Sequence, residues 1–484
     1  MNYYTAKNNE RINLLDIPTL DVEVFRGQLA ATNMRPLSYF GSDWGENVKV
    51  FALLADDEKG EVLISSTLIP KSNPQYESIT KDNPQYHMFE RELYEQFGIM
   101  PLGHPWLKPV RKNHDSYEFF KFDGEETHEV AVGPIHAGVI EPGHFRFLCQ
   151  GEKVYNLEIM LGYQHRGAEA LMVKNPSNQL AESICGDSVV AYNMAYSQIM
   201  EALSDTKISS KAQIIRRIAL EMERAAINIG DMGGILGDIA YLMGKEVYAV
   251  TRTLIINTML EISGSRFARG LIEVGGVNFD IDKNMSKKMI ETLEYVKKTV
   301  EKMTRATLKS STVMSRFEKT GSVSRDTARE LNLVGMIARS CGSTLDTRFD
   351  FKDEWYKDLS RKQFSATNDA YSRFRIRYKE TMESISYIKK FLKMLEKFES
   401  EPLKVEVKNE LAPNSFVVSI VEGWRGELVH VATTNEQGKL TRYKIKDPSF
   451  NNWYGLSMAL RGNGISDFPL CNKGFDLSYC GFDL

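Results

Sequence analysis

Three long segments constrain this chain more than any other feature: IIRRIALEMERAAINIGDMGGILGDIAYLMG (214–244), MSKKMIETLEYVKKTVEKMTRAT (285–307) and DAYSRFRIRYKETMESISYIKKFLKMLEKF (369–398). In each, apolar residues recur every three or four positions with charges between them, so each forms a helix with a stripe to bury. Helices of this length bury such stripes against one another, which predicts a bundle. The glycines of GDMGGILGD (230–238) fall inside the helical pattern and resemble no phosphate-binding loop; close packing of a neighbouring helix accounts for them.

The chain ahead of the bundle has a different period. VKVFALLA (48–55) and EVLISSTLI (61–69) are β-branched apolar runs joined by DDEKG, a hairpin pattern. HMFERELYEQFGI (87–99) follows as an amphipathic helix that stops near Gly98. A polar, acidic break falls around 113–129, and VAVGPIHAGVIEPGHFRFLCQGEKVYNLEIMLG then alternates like two or three strands. Past about 405, FVVSIVEGWRGELVHVATT reads as a hairpin turning at Arg425 and Gly426. The expected fold class is α+β: a small N-terminal α/β domain over 1–120, then a large, mainly helical bundle domain with peripheral β-hairpins over 121–484. A chain of 484 residues, 42% hydrophobic, can fill two such cores.

Charge and cysteine usage exclude several functions. With 61 basic against 64 acidic residues there is no electrostatic footprint for nucleic acid. No apolar run approaches the ~20 residues that cross a bilayer, and MNYYTAKNNERINLL lacks the order of a signal peptide. The expectation is a cytoplasmic chain that meets the inner face of the membrane only through partners. Cys149, Cys185, Cys341, Cys471 and Cys480 are widely spaced with no CxxC pair, which argues against a disulfide framework, a zinc ribbon or an iron–sulfur cluster held by this chain alone.

Motifs in a fixed order narrow this further. LGYQHRGAEALM (161–172) precedes AESICGDSVVAYNMAYSQIMEAL (181–203), and the terminus reads GNGISDFPLCNKGFDLSYCGFDL (462–484). With GPIHAGVIEPGHFRF (133–147) and VEGWRGEL (421–428), this order resembles the superfamily of [NiFe] hydrogenase large subunits and complex I quinone-site subunits. ERELYEQFGIMPLGHP (90–105) is similar to the small hydrophilic subunit of complex I, which the energy-converting, formate hydrogenlyase-like members carry fused at the N-terminus.

The resemblance implies a metal site and then removes it. A Ni–Fe centre needs soft thiolates, which the family draws from two CxxC pairs. Here the first pair reads Cys185-Gly186-Asp187-Ser188 and the second Ser478-Tyr479-Cys480-Gly481, so Cys185 alone stays in place as a vestigial ligand. Cys480 is one residue out of register and, on an extended segment, points away from the first pair. Leu484 lies just past the second motif, which by the resemblance fits a subunit with no removable metal-loading tail. No cofactor is expected in this chain; iron–sulfur clusters are expected on a small-subunit partner, alongside membrane ion-translocating subunits.

By motif position Glu169 is the family's proton-transfer acid, and a desolvated cavity would raise its pKa. His165 and Arg166 orient that segment. Arg425 matches an arginine that lies over iron in hydrogenases; without metal it is left to pair with Asp187, Asp467 or Asp476. Asp187, Ser188, Tyr192 and Ser478 make the old metal pocket polar, implying a hydrogen-bond network or a bound polar ligand such as a quinone. His136 and His144 flank the loop that faces the quinone in complex I, with a hydrogen-bonded structural role for at least one of them. The implied function is the large subunit of a membrane-associated, complex I-related oxidoreductase that binds an electron acceptor in a metal-free pocket and couples proton transfer to ion pumping. The alternatives are a non-catalytic scaffold between a peripheral partner and the pumping arm and, as a minor option, an atypical [NiFe] hydrogenase.

Overall fold

A computed structural model of the chain describes residues 2–112, 117–122, 124, 126–138, 140–357, 359 and 366–484; the polar break expected at 113–129 lies partly outside them. The fold is α+β. Its spine is the helix Ser210–Asp238, packed between Leu242–Ser263 and Ala370–Leu395, with Lys283–Lys309 laid against both of those neighbours. The pattern over 214–244 thus divides into two helices. Ala240 takes a left-handed φ of 60° at the break, and Leu242–Ser263, which the sequence pattern does not reveal, folds back along the first helix. The glycines permit that return: a Cβ on Gly233 would lie 3.2 Å from Tyr248 Cβ and 3.3 Å from the Lys245 carbonyl.

The N-terminal hairpin Asn47–Asp56/Glu61–Pro70 forms as expected, but inside a larger sheet. Arg35–Trp44 extends it on one edge, and Tyr4–Ala6 and Thr19–Leu20 both pair with Glu61–Pro70. The helix His87–Phe97 ends where Gly98 adopts φ 69°, a left-handed C-cap that glycine takes without Cβ strain. The strands Thr127–Val132, His144–Gln150 and Lys153–Met160 make a separate antiparallel sheet.

The C-terminal hairpin Ser415–Glu422/Glu427–Thr434 is more central than its sequence suggests. Every residue of both strands is buried. Leu440–Lys446 adds a third strand on one side and Arg11–Asn13, from the N-terminus, a fourth on the other. Arg35 Nη1 lies 2.6 Å from Glu427 across the same boundary. The turn at 423–426 sits directly on Gly335, where a Cβ would lie 2.1 Å from the Arg425 carbonyl oxygen.

That contact yields a prediction. Gly335 has φ +63° and no room for a methyl, whereas a Cβ on Gly27, in the Val22–Ala31 helix, would meet nothing within 4 Å. Gly335→Ala should therefore cost roughly 2–3 kcal/mol in denaturant unfolding. Gly27→Ala should be neutral or stabilise by up to about 1 kcal/mol. Equal effects would show that the 335–426 approach is not a tight constraint.

Candidate functional site

Arg425 leaves the turn of the central hairpin and reaches the junction between the helices Asn178–Ile184 and Val189–Leu203. Its Nη1 and Nη2 donate to the two carboxylate oxygens of Asp187 at 2.6 and 2.8 Å, a bidentate pair. Nε donates to the Asp476 carbonyl at 2.6 Å, and the guanidinium stacks 3.9 Å over the Trp424 ring. Trp424 Nε1 in turn donates to the Asp187 carbonyl at 2.8 Å. The Arg425 side chain is 6% exposed and that of Asp187 40%, so the pair runs from the interior to the surface. Burial acts to raise the Asp187 carboxyl, but Arg425 outweighs it and holds the group below the usual range. Of the three aspartates the sequence offers Arg425, Asp187 takes the ion pair, Asp476 lends its backbone, and Asp467 pairs with Arg316 at 3.0 Å.

Most of the other residues expected here do converge. Ser188 Oγ lies 3.5 Å from Arg425 Nη1, and Cys185 Sγ lies 3.1 Å from Asp187 and 3.2 Å from Ser478 Oγ. Ser478 caps the short helix Tyr479–Asp483 by accepting from Gly481 N at 2.8 Å. Because that segment is helical and not extended, Cys480 turns back toward the cluster, contrary to the expectation that it would point away: its Sγ is 3.5 Å from Ser478 Oγ. Tyr192 donates to Asp447 at 2.6 Å and packs edge-on against His430. Sequence reasoning misses Asp447, whose visible signal is only that of an N-cap ahead of Pro448.

The pKa of Glu169 is lowered, not raised as expected. Glu169 sits apart from Arg425, between the Lys444 ammonium at 2.8 Å and the Arg442 guanidinium at 3.0 Å, and it accepts from Ile445 N at 3.1 Å. Burial alone would raise its pKa as expected, but the two cations override burial and hold it well below the carboxylate range. Lys444 also binds Glu92, and Glu92 binds Arg111, so Glu169 belongs to a buried charge network that ties the His87–Phe97 helix to the central sheet. His165 and Arg166 do orient their segment: His165 Nδ1 lies 2.8 Å from the Asp483 carbonyl, and Arg166 donates to the carbonyls of Ser183 and Ile184. His136 and His144 brace their loop from inside, with ring nitrogens 2.7 Å from the Gly143 carbonyl and 3.3 Å from the Gly133 carbonyl.

The groups that hold protons near neutrality lie on the spine helix. Burial, reinforced by Asp476, pushes Asp231 up to about 7. Lys473 Nζ bridges Asp231 and Asp476 at 3.2 and 2.8 Å. Glu223 accepts from Val190 N at 2.7 Å, supplying a remote cap to the Val189–Leu203 helix, and burial pushes it up to about 8.

These residues do not fit a Ni–Fe centre. Hydroxyls stand at Ser188 and Ser478, and a Cβ at Gly481 would lie 2.6 Å from Asp447 Oδ2 and 2.8 Å from Ser478 Oγ, so a thiol there would require both side chains to move. Among the described residues no group of three or more His, Cys, Asp or Glu side chains is arranged to hold a metal. The polar cluster is closed by its own hydrogen bonds. Grooves of about 1060 and 710 Å³ lie elsewhere, the first lined by 31–35, 55–59 and 325–345 side chains and the second by residues such as Lys7, Gln198 and Lys352.

Comparison with known proteins places the chain. Residues 238–483 match the family described as respiratory-chain NADH dehydrogenase, 49 Kd subunit, and residues 25–119 match the 30 Kd subunit of the same enzyme. Formate hydrogenlyase subunit 5 of Escherichia coli (strain K12) is 27% identical over 85% of this chain and 77% of its own length. Hydrogenase-4 component G of the same organism is 26% identical over 91% and 82%. A chain of the membrane-bound sulfane sulfur reductase, an archaeal respiratory membrane complex, shares the fold with a TM-score of 0.67 at 21% identity, covering 75% of this chain and 100% of that one.

The raised Glu223 sets a pH test. Its folded value lies above the ordinary 4.5, so the folded protein keeps a proton that the unfolded chain releases. The associated stability is complete below the ordinary value and is lost as pH rises toward 8, at up to about 1.4 kcal/mol per pH unit. Glu223→Gln keeps an acceptor for Val190 N without the ionisation. Between pH 5.5 and 7.5 its unfolding free energy should fall less steeply than that of the wild type; parallel curves would show that Glu223 ionises freely in the folded state.

Proposed function

This chain belongs to the family of the respiratory-chain NADH dehydrogenase 49 Kd subunit, joined to a region of the 30 Kd type, and from that premise we propose that it is the large subunit of a membrane-associated oxidoreductase assembly. In this reading, the cluster around Arg425 receives a quinone or another electron acceptor, and the neighbouring carboxyls supply protons. The division near residue 120, with the 30 Kd-type region ahead of the large-subunit region, is part of the reading.

The observation that carries it is the Arg425–Asp187 pair. A guanidinium fixed by Trp424 and Asp476 presents planar donors suited to a carbonyl or anion, and its partner is exposed enough to give way to one. Reducing a carbonyl consumes protons, and Asp231, linked to Asp476 through Lys473, keeps a proton close to neutral pH. Asp231 is better suited to that work than Glu169, whose two cations keep it ionised. Electrons arrive from iron–sulfur clusters on a small-subunit partner, since this chain has no CxxC motif. No helix of the described residues is long and apolar enough to cross a membrane, so the proposed ion pumping belongs to membrane partners, met at the inner face.

A second reading, a non-catalytic scaffold, is favoured by the pairing of Glu169 with Lys444 and Arg442 and by the closure of the Arg425 cluster on itself. One experiment separates the two. The chain, recovered from gently solubilised membranes, should carry an iron–sulfur small subunit and membrane subunits with it, and should contain no stoichiometric nickel by elemental analysis. Arg425→Lys keeps the charge but loses the two-pronged geometry, and should lower quinone-linked turnover of the intact complex by about 10–100-fold, the worth of a charge-assisted hydrogen bond of roughly 1.5–3 kcal/mol. Assembly with unchanged turnover would leave the scaffold, and one nickel per chain would restore the hydrogenase.

A further inference from the structure

Cys149, Cys341 and Cys471 are each buried, while Cys185 and Cys480, from opposite ends of the large-subunit region, meet at one hydroxyl. Ser478 Oγ lies 3.2 Å from Cys185 Sγ and 3.5 Å from Cys480 Sγ, so the two sulfurs flank a single oxygen. We propose that Cys185 and Cys480 form a redox-active dithiol that exchanges with small-molecule disulfides, Cys480 attacking and Cys185 resolving. The inference rests on the thiol geometry alone and stands whether or not the cluster receives a quinone.

The two sulfurs differ in the ways such a pair requires. Cys185 is 1% exposed, whereas Cys480 is only partly buried, so a reagent from solvent meets Cys480 first. Exposure therefore makes Cys480 the attacking thiol and Cys185, held behind it in the interior, the resolving one. Once Cys185 gives up its proton, Arg425 Nη1, 3.7 Å away, faces the resulting charge.

The exchange balances. The Cys480 thiolate attacks one sulfur of the small disulfide, forming a mixed disulfide and expelling one thiolate, which takes up a proton. Cys185, deprotonated, then attacks the Cys480 sulfur, forming the Cys185–Cys480 bond and expelling the second small thiol. The protein loses two electrons and two protons, and the small disulfide is reduced to two thiols. The sulfurs must close from either side of Ser478 Oγ to about 2.05 Å. Cys480 is carried on the short helix Tyr479–Asp483, and Ser478 Oγ, which caps that helix, is the group the closing bond would displace from between them.

The test uses the purified full-length chain and glutathione disulfide as probe. After incubation and quenching with an alkylating agent under denaturing conditions, non-reducing peptide mapping should find a Cys185–Cys480 cross-link, with two of the five thiols lost and both restored by dithiothreitol. Cys185→Ser should trap a stable glutathione adduct on Cys480, and Cys480→Ser should leave Cys185 unmodified. The wild-type map needs no variant to fold. Five free thiols after incubation, a glutathione adduct persisting on wild-type Cys480 without a cross-link, or a cross-link to another cysteine would each overturn the proposal.

Discussion

The helix Ser210–Asp238 is buried nearly all round, and the charges it carries inward are the constraint on which the rest of the molecule depends. An unpaired charge in such a place costs several kcal/mol, so each must be met by a group from elsewhere in the chain. Arg216 is held by Glu201 at 2.6 and 3.0 Å and by the Glu273 and Gly276 carbonyls. Glu221 receives Arg348 at 2.9 Å, Tyr356 at 2.7 Å and Ser384 at 2.6 Å. Asp231 receives Arg377 at 3.0 Å. These partners come from widely separated segments, and satisfying them together fixes where the surrounding helices and the central sheet can lie.

Two adjacent residues of that helix build the two walls of the polar cluster around Arg425. Glu223 binds the first turn of Val189–Leu203 and so places Cys185, Asp187 and Ser188 at its start. Arg224 donates to the carbonyls of Glu422 and Gly423, which hold the turn from which Arg425 projects. The Arg425–Asp187 pair closes the gap between the walls. Its geometry is thus inherited from a buried helix that contributes no side chain to the pair itself.

The same scaffold accounts for how so polar a cluster is buried. Asp447 occupies the space in front of Gly481 and takes the Tyr192 hydroxyl, while Ser478 turns its oxygen to a helix N-terminus and to two sulfurs. Every one of these groups is hydrogen-bonded, which is the condition for burying them at all. The proton-holding capacity then lies with carboxyls of the spine, Asp231 and Glu223, whose pKa values are raised by burial, and not with Glu169.

Elements whose cause is local are legible in the chain before it folds. The period of 369–398, the hairpin at 415–434 and the stop at Gly98 each follow from a few neighbouring residues, and the Arg425–Asp187 pair is within reach because each lies in a recognisable motif. Tertiary structure alone decided the rest. Glu169 reads as a free acid in the sequence because its cations, Lys444 and Arg442, lie on a strand far along the chain with no motif to announce it. The direction of Cys480 is not legible because a one-residue offset inverts a side chain on a strand but not on a helical turn, and the turn exists because Ser478 caps it. Charges spaced between apolar residues look like a solvent-facing stripe on 214–238, yet the helix lies inside. Periodicity records which residues share a face; what that face meets depends on long-range pairing that only the folded chain supplies.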